Sequence, residues 1–241
     1  MPFVDCHSHM VPSGDDGVSS AAEGLELCRA AARRGTAVLF ATPHVLPHLT
    51  LTRDREAAVR SAYVAMRSQA ELEVRLGFEL TPDRRLLAED PARYELEGTG
   101  CVLMEVPFIG SADLFCRVAE HIEDEGFQVV VAHPERTESV LSDPGLAGEL
   151  AGRGWLLQVN STSMLGYHGV EIEELAWRLL EEGTAAIVAS DGHRTTRPPY
   201  LDEAYAAAVE LLGERAVSFF DGSALGVSPR RTPSRAASTS A

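Results

Sequence analysis

The sequence predicts an α/β fold in which parallel strands alternate with helices and form a barrel-like sheet. Seven short apolar runs alternate along the 241-residue chain with longer stretches of helical periodicity. Continuous apolar runs of this kind are typical of strands that are buried on both faces of a parallel sheet. Six of the seven runs end in ionisable side chains, and active sites of barrels form at the carboxyl ends of the strands. We therefore expect one site at that end of the sheet.

The strand candidates are short and follow one another in chain order. The first is the apolar pair at 3–4, and the others lie at 37–42, 72–78, 101–104, 129–132, 155–159 and 185–190. Helical stretches are predicted at 20–34, 54–69, 112–125, 146–152, 172–182 and 202–212. Ser19 and Ser20 stand at the start of the first helix as capping residues, and Gly35, Gly126 and Gly183 follow three of the helices as stop signals.

Length and composition fit one domain with a single core. Hydrophobic residues make up 45% of the chain and charged residues 24%, and barrels of about 200 to 250 residues are commonly single domains. We predict one domain over 1–227. The segment 228–241 places Arg230, Arg231 and Arg235 among Ser, Thr, Pro and Ala, a composition that predicts a disordered tail without a function of its own.

Charge and cysteine content make several functions poor fits. The formal net charge is −15 and all 21 basic residues are arginine, so nucleic acid has little electrostatic reason to bind. No signal-peptide pattern or membrane-spanning stretch is visible, and we expect a cytoplasmic protein without membrane insertion. The four cysteines show neither metal-ligand spacing nor a phosphate-binding loop, so thiol catalysis is not expected; they are Cys6, Cys28, Cys101 and Cys116.

The ionisable residues at the strand ends predict a metal site. His7 and His9 are one residue apart after the first strand, so both lie on one face of an extended segment and can bind one cation together. A single histidine at a strand end is more often a hydrogen-bonded structural residue than a ligand. A whole set is different, because each member would need a partner to offset its desolvation. The others are His44, Glu79, Glu105, His133, Asp191 and His193.

The chemistry of this set indicates the kind of metal. Imidazole and carboxylate donors without a plausible thiolate suit Mn, Fe or Zn. The donors are too many for one ion, so several bridged metals are the simplest explanation, with Glu79 as a carboxylate that two metals share.

Five ordered motifs in the chain resemble those of the PHP (polymerase and histidinol phosphatase) superfamily. They are DCHSH at 5–9, DDG at 15–17, ATPH at 41–44, AHPER at 132–136 and ASDGH at 189–193. Three further stretches are similar to bacterial capsule-locus tyrosine-protein phosphatases: TPD at 81–83, LQVNS at 157–161, and RPPY at 197–200 with EAY at 203–205. The resemblance extends from about residue 3 to about residue 220, and the ordered set is far more specific than any one motif.

The resemblance implies a distorted seven-stranded (β/α)7 TIM-like barrel of the PHP type and a phosphatase domain over 1–227. It also implies three divalent metal ions, with Mn favoured and Fe or Zn as alternatives. Asp16 matches the ligand position of its motif, although Asp15 and Asp16 could both simply form a turn. By resemblance, the first metal has the ligands His7, His9, Glu79 and Asp191, the second Glu79, Glu105 and His133, and the third Asp16, His44 and His193; Arg136 and Arg197 match phosphate-binding arginines.

The leading functional hypothesis is a metal-dependent phosphatase that acts on phosphotyrosine in proteins, with a bacterial tyrosine kinase of polysaccharide export as the expected partner. The phenol hydroxyl has a pKa of about 10, so the phenolate of an aryl phosphate can leave with little protonation of its oxygen. The alternatives are a small-molecule phosphatase of the histidinol phosphate type, an amidohydrolase, and a non-catalytic metal-binding module. Amidohydrolases commonly bridge their metals with a carbamylated lysine, and this chain contains no lysine. The sequence is compatible with an oligomer.

Overall fold

The computed structural model describes residues 1–229, and their secondary structure is a mixed α/β arrangement. The strands are β1 Phe3–Asp5, β2 Thr36–Ala41, β3 His44–Val45, β4 Glu73–Leu76, β5 Glu79–Leu80, β6 Glu95–Leu96, β7 Cys101–Glu105, β8 Gln128–Ala132, β9 Leu156–Asn160 and β10 Ala185–Ala189. The α-helices are α1 Ala21–Arg33, α2 Arg53–Arg67, α3 Asp113–Asp124, α4 Glu138–Ser142, α5 Gly145–Gly152, α6 Ser161–Met164, α7 Val170–Glu181, α8 Asp202–Leu212 and α9 Val217–Phe220. Apart from its first two residues, 228 and 229, the predicted tail lies outside the described residues.

The strands form two hydrogen-bonded sheets. The smaller has the order β1-β2-β4 and is parallel throughout. The larger has the order β10-β9-β8-β7-β5-β3, also parallel, and β6 pairs with β7 in the antiparallel sense. Helices alternate with these strands, as the apolar periodicity predicts.

Loop hydrogen bonds join the two sheets. On one side the Asp191 N–H donates to the His7 carbonyl at 2.9 Å, and the His9 N–H donates to the Gly192 carbonyl at 2.6 Å. On the other side the Glu97 N–H, which directly follows β6, donates to the Leu76 carbonyl of β4 at 2.8 Å. These contacts hold the strand ends together, but the ladders are separate, and the closed seven-stranded barrel is not confirmed.

Two short strands, β3 and β5, each follow an interruption at the end of a predicted run. The run at 37–42 is followed by a second strand, β3, since Pro43 has no N–H to continue the ladder. The run at 72–78 is shorter than predicted, since β4 ends before Gly77 and β5 begins beyond the run at Glu79. A Cβ at Gly77 would lie 2.5 Å from the Leu96 side chain, so only glycine permits this close approach.

The core lies on both faces of the strands. A small cluster gathers alternate residues of several strands, such as Val38 and Phe40 of β2 and Leu103 of β7. The opposite faces pack against the helices in a larger cluster. The prediction that the strands are buried on both sides is therefore confirmed, and the α1 cap is also as expected, since the Ser20 side chain accepts a hydrogen bond from the Glu23 N–H.

Candidate metal centre

Most of the predicted ligands end or follow a strand at its carboxyl end, whereas His44 begins β3 and Glu79 begins β5, each shortly after a strand of the smaller sheet. Because parallel strands point in one direction, side chains that follow different strands meet at the same edge. His133 directly follows β8 with φ 33°, and Asp191 follows β10 with φ 50°. These are the only non-glycine residues with positive φ between residues 1 and 229. Backbone strain of this kind concentrates at functional sites.

Glu79 is the centre of the cluster. Its carboxylate is fully buried, and its Oε2 lies 3.1 Å from His7 Nε2, 3.2 Å from His9 Nε2 and 3.0 Å from His44 Nδ1. Its Oε1 lies 2.9 Å from His133 Nε2. Four imidazole rings therefore converge on one carboxylate.

The contacts around Glu79 Oε2 resemble a coordination shell more than a hydrogen-bond network. This buried oxygen has nitrogens at about 3 Å but no hydrogen-bond partner of acceptable geometry among the described residues. Neighbouring ligands of an octahedral cation at about 2.1 Å lie roughly 3 Å apart. The donor set therefore fits divalent metal ions.

The donor atoms form three groups, and within each group the atoms lie within 4.8 Å of one another. They are His7, His9 and Glu79; Glu79, Glu105 and His133; and His9, Asp16, His44 and His193. Asp191 Oδ1 lies 3.4 Å from the Nε2 atoms of both His7 and His9, beside the first group. The structure thus brings all nine predicted ligands together, and it places His9 between two of the groups.

Opposite charges in the cluster shift the pKa values of its members. Burial acts to raise the pKa of Glu79, but the charges of His44 and His7 outweigh it and hold this pKa well below its usual range. Burial acts to lower the pKa of His9, yet hydrogen bonds with Asp15 and other carboxylates raise it well above its ordinary value. The carboxylates thus favour positive charge at this point, and divalent cations would take the place of the imidazole protons.

Asp15 and Asp16 occupy different positions. The Asp15 carboxylate accepts a hydrogen bond from the His44 N–H at 2.9 Å and lies 3.5 Å from His9 Nδ1. Asp16 is exposed, and its Oδ1 lies 3.3 Å from His193 Nε2 and 3.6 Å from His44 Nε2. Asp15 therefore orients donor residues from behind, whereas Asp16 faces the third group directly.

The two predicted phosphate-binding arginines flank Asp191. Arg136 Nη1 donates to Asp191 Oδ2 at 2.9 Å, and Arg197 Nη2 lies 3.7 Å from Asp191 Oδ1 and contacts the His193 ring. The Nε of Arg197 is buried and has no hydrogen-bond partner within the part of the chain that the structure describes. Both guanidinium groups are therefore placed beside the donor cluster, and one has an unused donor.

Two residues of the LQVNS stretch, for which the sequence predicted no individual role, support the cluster. Gln158 Oε1 lies 3.0 Å from His7 Nδ1, which directs Nε2 of that ring toward Glu79. Gln158 also donates to Asn160 Oδ1 at 2.8 Å, and Asn160 in turn donates to Asp191 Oδ2 at 2.8 Å. This chain of hydrogen bonds begins at the end of β9, the one predicted strand without an ionisable ligand. The sequence signal for this role was the presence of two polar residues, Gln158 and Asn160, in an otherwise apolar run.

The cysteines lie apart from the cluster. Cys6 and Cys101 belong to the small core cluster, as the alternation of Cys6 with His7 predicts. Burial raises the pKa of Cys6 well above its usual value and that of Cys28 to about 12. These thiols are therefore protonated at neutral pH and poor nucleophiles.

An α/β fold with imidazoles, carboxylates and arginines at the strand ends is the architecture of metal-dependent hydrolases. Solved structures agree on the fold: dihydropyrimidinase from Brevibacillus agri superposes with a TM-score of 0.62 at 12% identity, covering 92% of this chain and 69% of that one. The model of the family "Capsular polysaccharide synthesis, CpsB/CapC" matches residues 3–220. The chain belongs to this family, as its capsule-locus motifs predict.

Relatives within the family are enzymes. The tyrosine-protein phosphatase YwqE of Bacillus subtilis is 30% identical over 221 residues, which cover 84% of this chain and 82% of the relative. CpsB of Streptococcus agalactiae, also a tyrosine-protein phosphatase, is 28% identical, with 90% of this chain and 95% of the relative covered. The chain also superposes on a crystal structure of the YwqE and Streptococcus pneumoniae CpsB group, which are metal-dependent tyrosine phosphatases. The TM-score is 0.80 at 27% identity, and the superposition covers 90% of this chain and 91% of that one. The phosphatase prediction is thereby confirmed at the level of the family.

No helix between residues 1 and 229 is long and apolar enough to cross a bilayer.

Proposed function

We propose that this protein is a metal-dependent phosphatase that hydrolyses phosphotyrosine in proteins. The observation that carries the proposal is the convergence of His7, His9, His44 and His133 on the buried Glu79 carboxylate, with Arg136 and Arg197 beside it. The relatives YwqE and CpsB, which are tyrosine-protein phosphatases, support phosphotyrosine hydrolysis as the activity.

The proposed cofactors are three divalent metal ions, with Mn favoured and Fe or Zn as alternatives. The donor groups around Glu79 would hold them, and Glu79 would be shared between two of the ions. Such ions supply Lewis-acid stabilisation of phosphoryl oxygens and lower the pKa of water to near 7. The seven-stranded barrel of the PHP type would bring the two sheets into one scaffold for these ions, through the hydrogen bonds of His9 and Glu97.

The protein's own side chains would do the remaining work. Arg136 and Arg197 would donate to the phosphoryl oxygens in place of part of their present contact with Asp191, and thereby offset the charge that develops in the transition state. Gln158 would keep Nε2 of His7 directed at the centre. Glu105, which accepts a hydrogen bond from Thr81, would be held in one orientation. The phenolate of tyrosine needs no dedicated acid to leave.

A protein substrate also fits the setting of the family. Its capsular polysaccharide role suggests a bacterial tyrosine kinase of polysaccharide export as the physiological substrate. A cytoplasmic location and an oligomeric assembly remain predictions of the sequence. An amidohydrolase is less favoured, since no lysine is present to form a bridging carbamate and Glu79 lies at the centre instead.

The test compares substrates under identical conditions. Purified protein with added manganese is assayed against a phosphotyrosine peptide, a phosphoserine peptide and histidinol phosphate. We expect the highest kcat/KM for phosphotyrosine and loss of all activity with a chelator. Equal or higher kcat/KM for histidinol phosphate would favour the small-molecule phosphatase, and a metal-loaded protein without any turnover would favour the non-catalytic module.

A further inference from the structure

Two apolar residues are exposed at the edge of the candidate metal centre. Phe108 is 41% exposed and Ile109 is 81% exposed. Both lie in the loop that follows Glu105, the last residue of β7. The Glu138 N–H donates to the Phe108 carbonyl at 2.9 Å, so the loop is attached at this point. Neighbouring apolar side chains that remain open to solvent beside a site often contact a ligand.

The Phe108 ring contacts both functional parts of the site. It stacks on the His133 ring, with centroids 5.6 Å apart and an interplanar angle of 18°. The Arg136 guanidinium carbon lies 5.3 Å from its centroid. A phosphoryl group bound by Arg136 would therefore carry its ester substituent into the neighbourhood of this ring. Shielding of His133 explains the stacking, but it does not explain why so much of the side chain stays exposed.

We propose that Phe108 is a specificity-determining residue whose ring contacts the aromatic ring of the substrate. The inference rests on the proposed function and deepens it, because it assigns the preference for aryl phosphates to a particular side chain. Aromatic rings attract one another in offset-stacked or edge-to-face arrangements, and such a pair changes affinity by about 3- to 10-fold. Phe108 would then select phosphotyrosine over aliphatic phosphates through binding, in addition to the easier departure of phenolate.

A cavity beside Arg197 offers an alternative location for the substrate ring. It has a volume of about 440 Å³ and lies on the other side of the site. Tyr167 and Tyr200 line it, but the Tyr200 ring already carries the Arg34 guanidinium at 4.2 Å from its centroid. Tyr167 is 70% exposed and is the residue to change if the ring binds there.

The experiment measures inhibition by two matched phosphonates that cannot be hydrolysed. Phenylphosphonate and cyclohexylphosphonate carry the same charged group and rings of similar size, and only one ring is aromatic. Inhibition constants are measured for the manganese-loaded protein and for Phe108→Leu, Phe108→Trp, Tyr167→Ala and the loop control Ile109→Ala, with a phosphotyrosine peptide as substrate. Dividing the two constants within each variant cancels any shared loss of metal or phosphate binding, so the ratio reports the ring contact alone.

We expect the wild type to bind phenylphosphonate more tightly than cyclohexylphosphonate. Phe108→Leu should remove about 3- to 10-fold of this preference, Phe108→Trp should keep it, and Ile109→Ala should match the wild type. An unchanged ratio in Phe108→Leu, or a loss of preference in Tyr167→Ala instead, would overturn the inference. Absence of phosphotyrosine hydrolysis by the wild type would contradict the proposed function itself, which is a different result from hydrolysis without a ring preference.

Discussion

Asp191 connects the donor cluster with the arginines. One carboxylate oxygen faces the imidazoles of His7 and His9 at 3.4 Å, and the other accepts hydrogen bonds from Arg136 and Asn160. Its backbone is in the left-handed region, with φ 50°. A single residue thus sets the distance between the proposed metals and the proposed phosphate-binding groups.

Replacing Arg136 or Arg197 by methionine should lower kcat by roughly 100- to 1000-fold, equivalent to about 2.7 to 4 kcal/mol of transition-state stabilisation. The physical reason is the loss of one charged donor to the phosphoryl group at a site that excludes much of the water. Turnover of a phosphotyrosine peptide, metal content and melting temperature are measured together. Arg178→Met is the control, because Arg178 is an exposed helix residue paired with Glu182. Unfolding or metal loss in the two site variants would contradict the assigned role.

Asp15 and Asp16 should respond differently to the same change. Asp15→Asn removes the charge behind His9 and the acceptor for the His44 N–H, so we expect metal affinity to fall by about 10- to 100-fold. Asp16→Asn should affect only the third group and lower the number of bound metals by one. Metal titration by calorimetry and elemental analysis after dialysis distinguish the two results. Identical behaviour of the variants would mean that the two residues act as one turn.

At the scale of secondary structure elements, the packing of α1 depends on a glycine. A Cβ at Gly24 would lie 2.2 Å from the Met10 carbonyl oxygen and 2.6 Å from Met66 Cε. The helix therefore sits directly against the segment that follows His9. Gly148 in α5 is also helical, but a Cβ at that position would have no packing neighbour within 4 Å.

These two glycines give a matched pair of substitutions. Gly148→Ala should stabilise the protein by about 0.5 to 1 kcal/mol, because alanine is the better helix former. Gly24→Ala should destabilise it by about 1 to 2 kcal/mol, since overpacking against a backbone carbonyl outweighs the same helical gain. Urea denaturation measures both. A stabilised Gly24→Ala protein would show that α1 can move away from the site without cost.

Glu97 ties α2 to β4. Its Oε1 accepts from Arg67 at 2.9 Å, and its Oε2 accepts from the Leu76 N–H at 3.1 Å and from the Tyr63 hydroxyl. Burial acts to raise the pKa of Glu97, but these hydrogen bonds and the Arg67 charge outweigh it and lower the pKa. The folded pKa therefore lies below the unfolded value of about 4.3. The stabilisation is complete above that value and is lost as the pH falls through the folded pKa.

Glu97→Gln should accordingly cost about 1 kcal/mol at pH 7, a small value because Glu97 is partly exposed and solvent screens its charge. The difference between wild type and variant should shrink as the pH falls below the unfolded pKa of about 4.3 and through the lower folded pKa. Urea denaturation is performed with a chelator present throughout, so that metal release does not contribute. A difference that is independent of pH would show that the contact does not depend on the carboxylate charge.

At the scale of the whole molecule, the donor cluster draws residues from both sheets. Metals bound there would connect the segment after β1 of the smaller sheet with β3, β5, β7, β8 and β10 of the larger one. Ions that bind only the folded state stabilise it by an amount that grows with their concentration. The proposed metals would then contribute to stability as well as to catalysis.

Added manganese should raise the melting temperature, by the equivalent of about 2.7 kcal/mol per site at roughly one hundred times the dissociation constant. A chelator should reverse the shift and abolish turnover, and His9→Ala should weaken both effects because His9 lies in two donor groups. Alkylation with iodoacetamide should leave activity intact, since Cys6 and Cys28 are buried and protonated. Activity that resists chelation and is lost on alkylation would refute the metal mechanism.

The sequence alone determined which residue types stand at the ends of the strands, and the alternation of strands and helices. Both follow from local periodicity, which is a property of neighbours in the chain. Eight candidate ligands could therefore be named from their positions at the strand ends, whereas Asp16 and the two arginines were chosen through the resemblance. Strand interruptions at Pro43 and Gly77 were harder to see, because short two-residue strands leave almost no periodic signal.

Only the tertiary structure decided how these residues are used. The contact between His7 and Gln158 joins positions 151 residues apart, and the different roles of Asp15 and Asp16 depend on which side chain faces the interior. Three further features also depend on how distant parts of the chain come together. They are the central place of Glu79, the separation of the strands into two ladders, and the contacts of the Phe108 ring with His133 and Arg136. Such features follow from the packing of whole sheets and loops, and no local pattern encodes them.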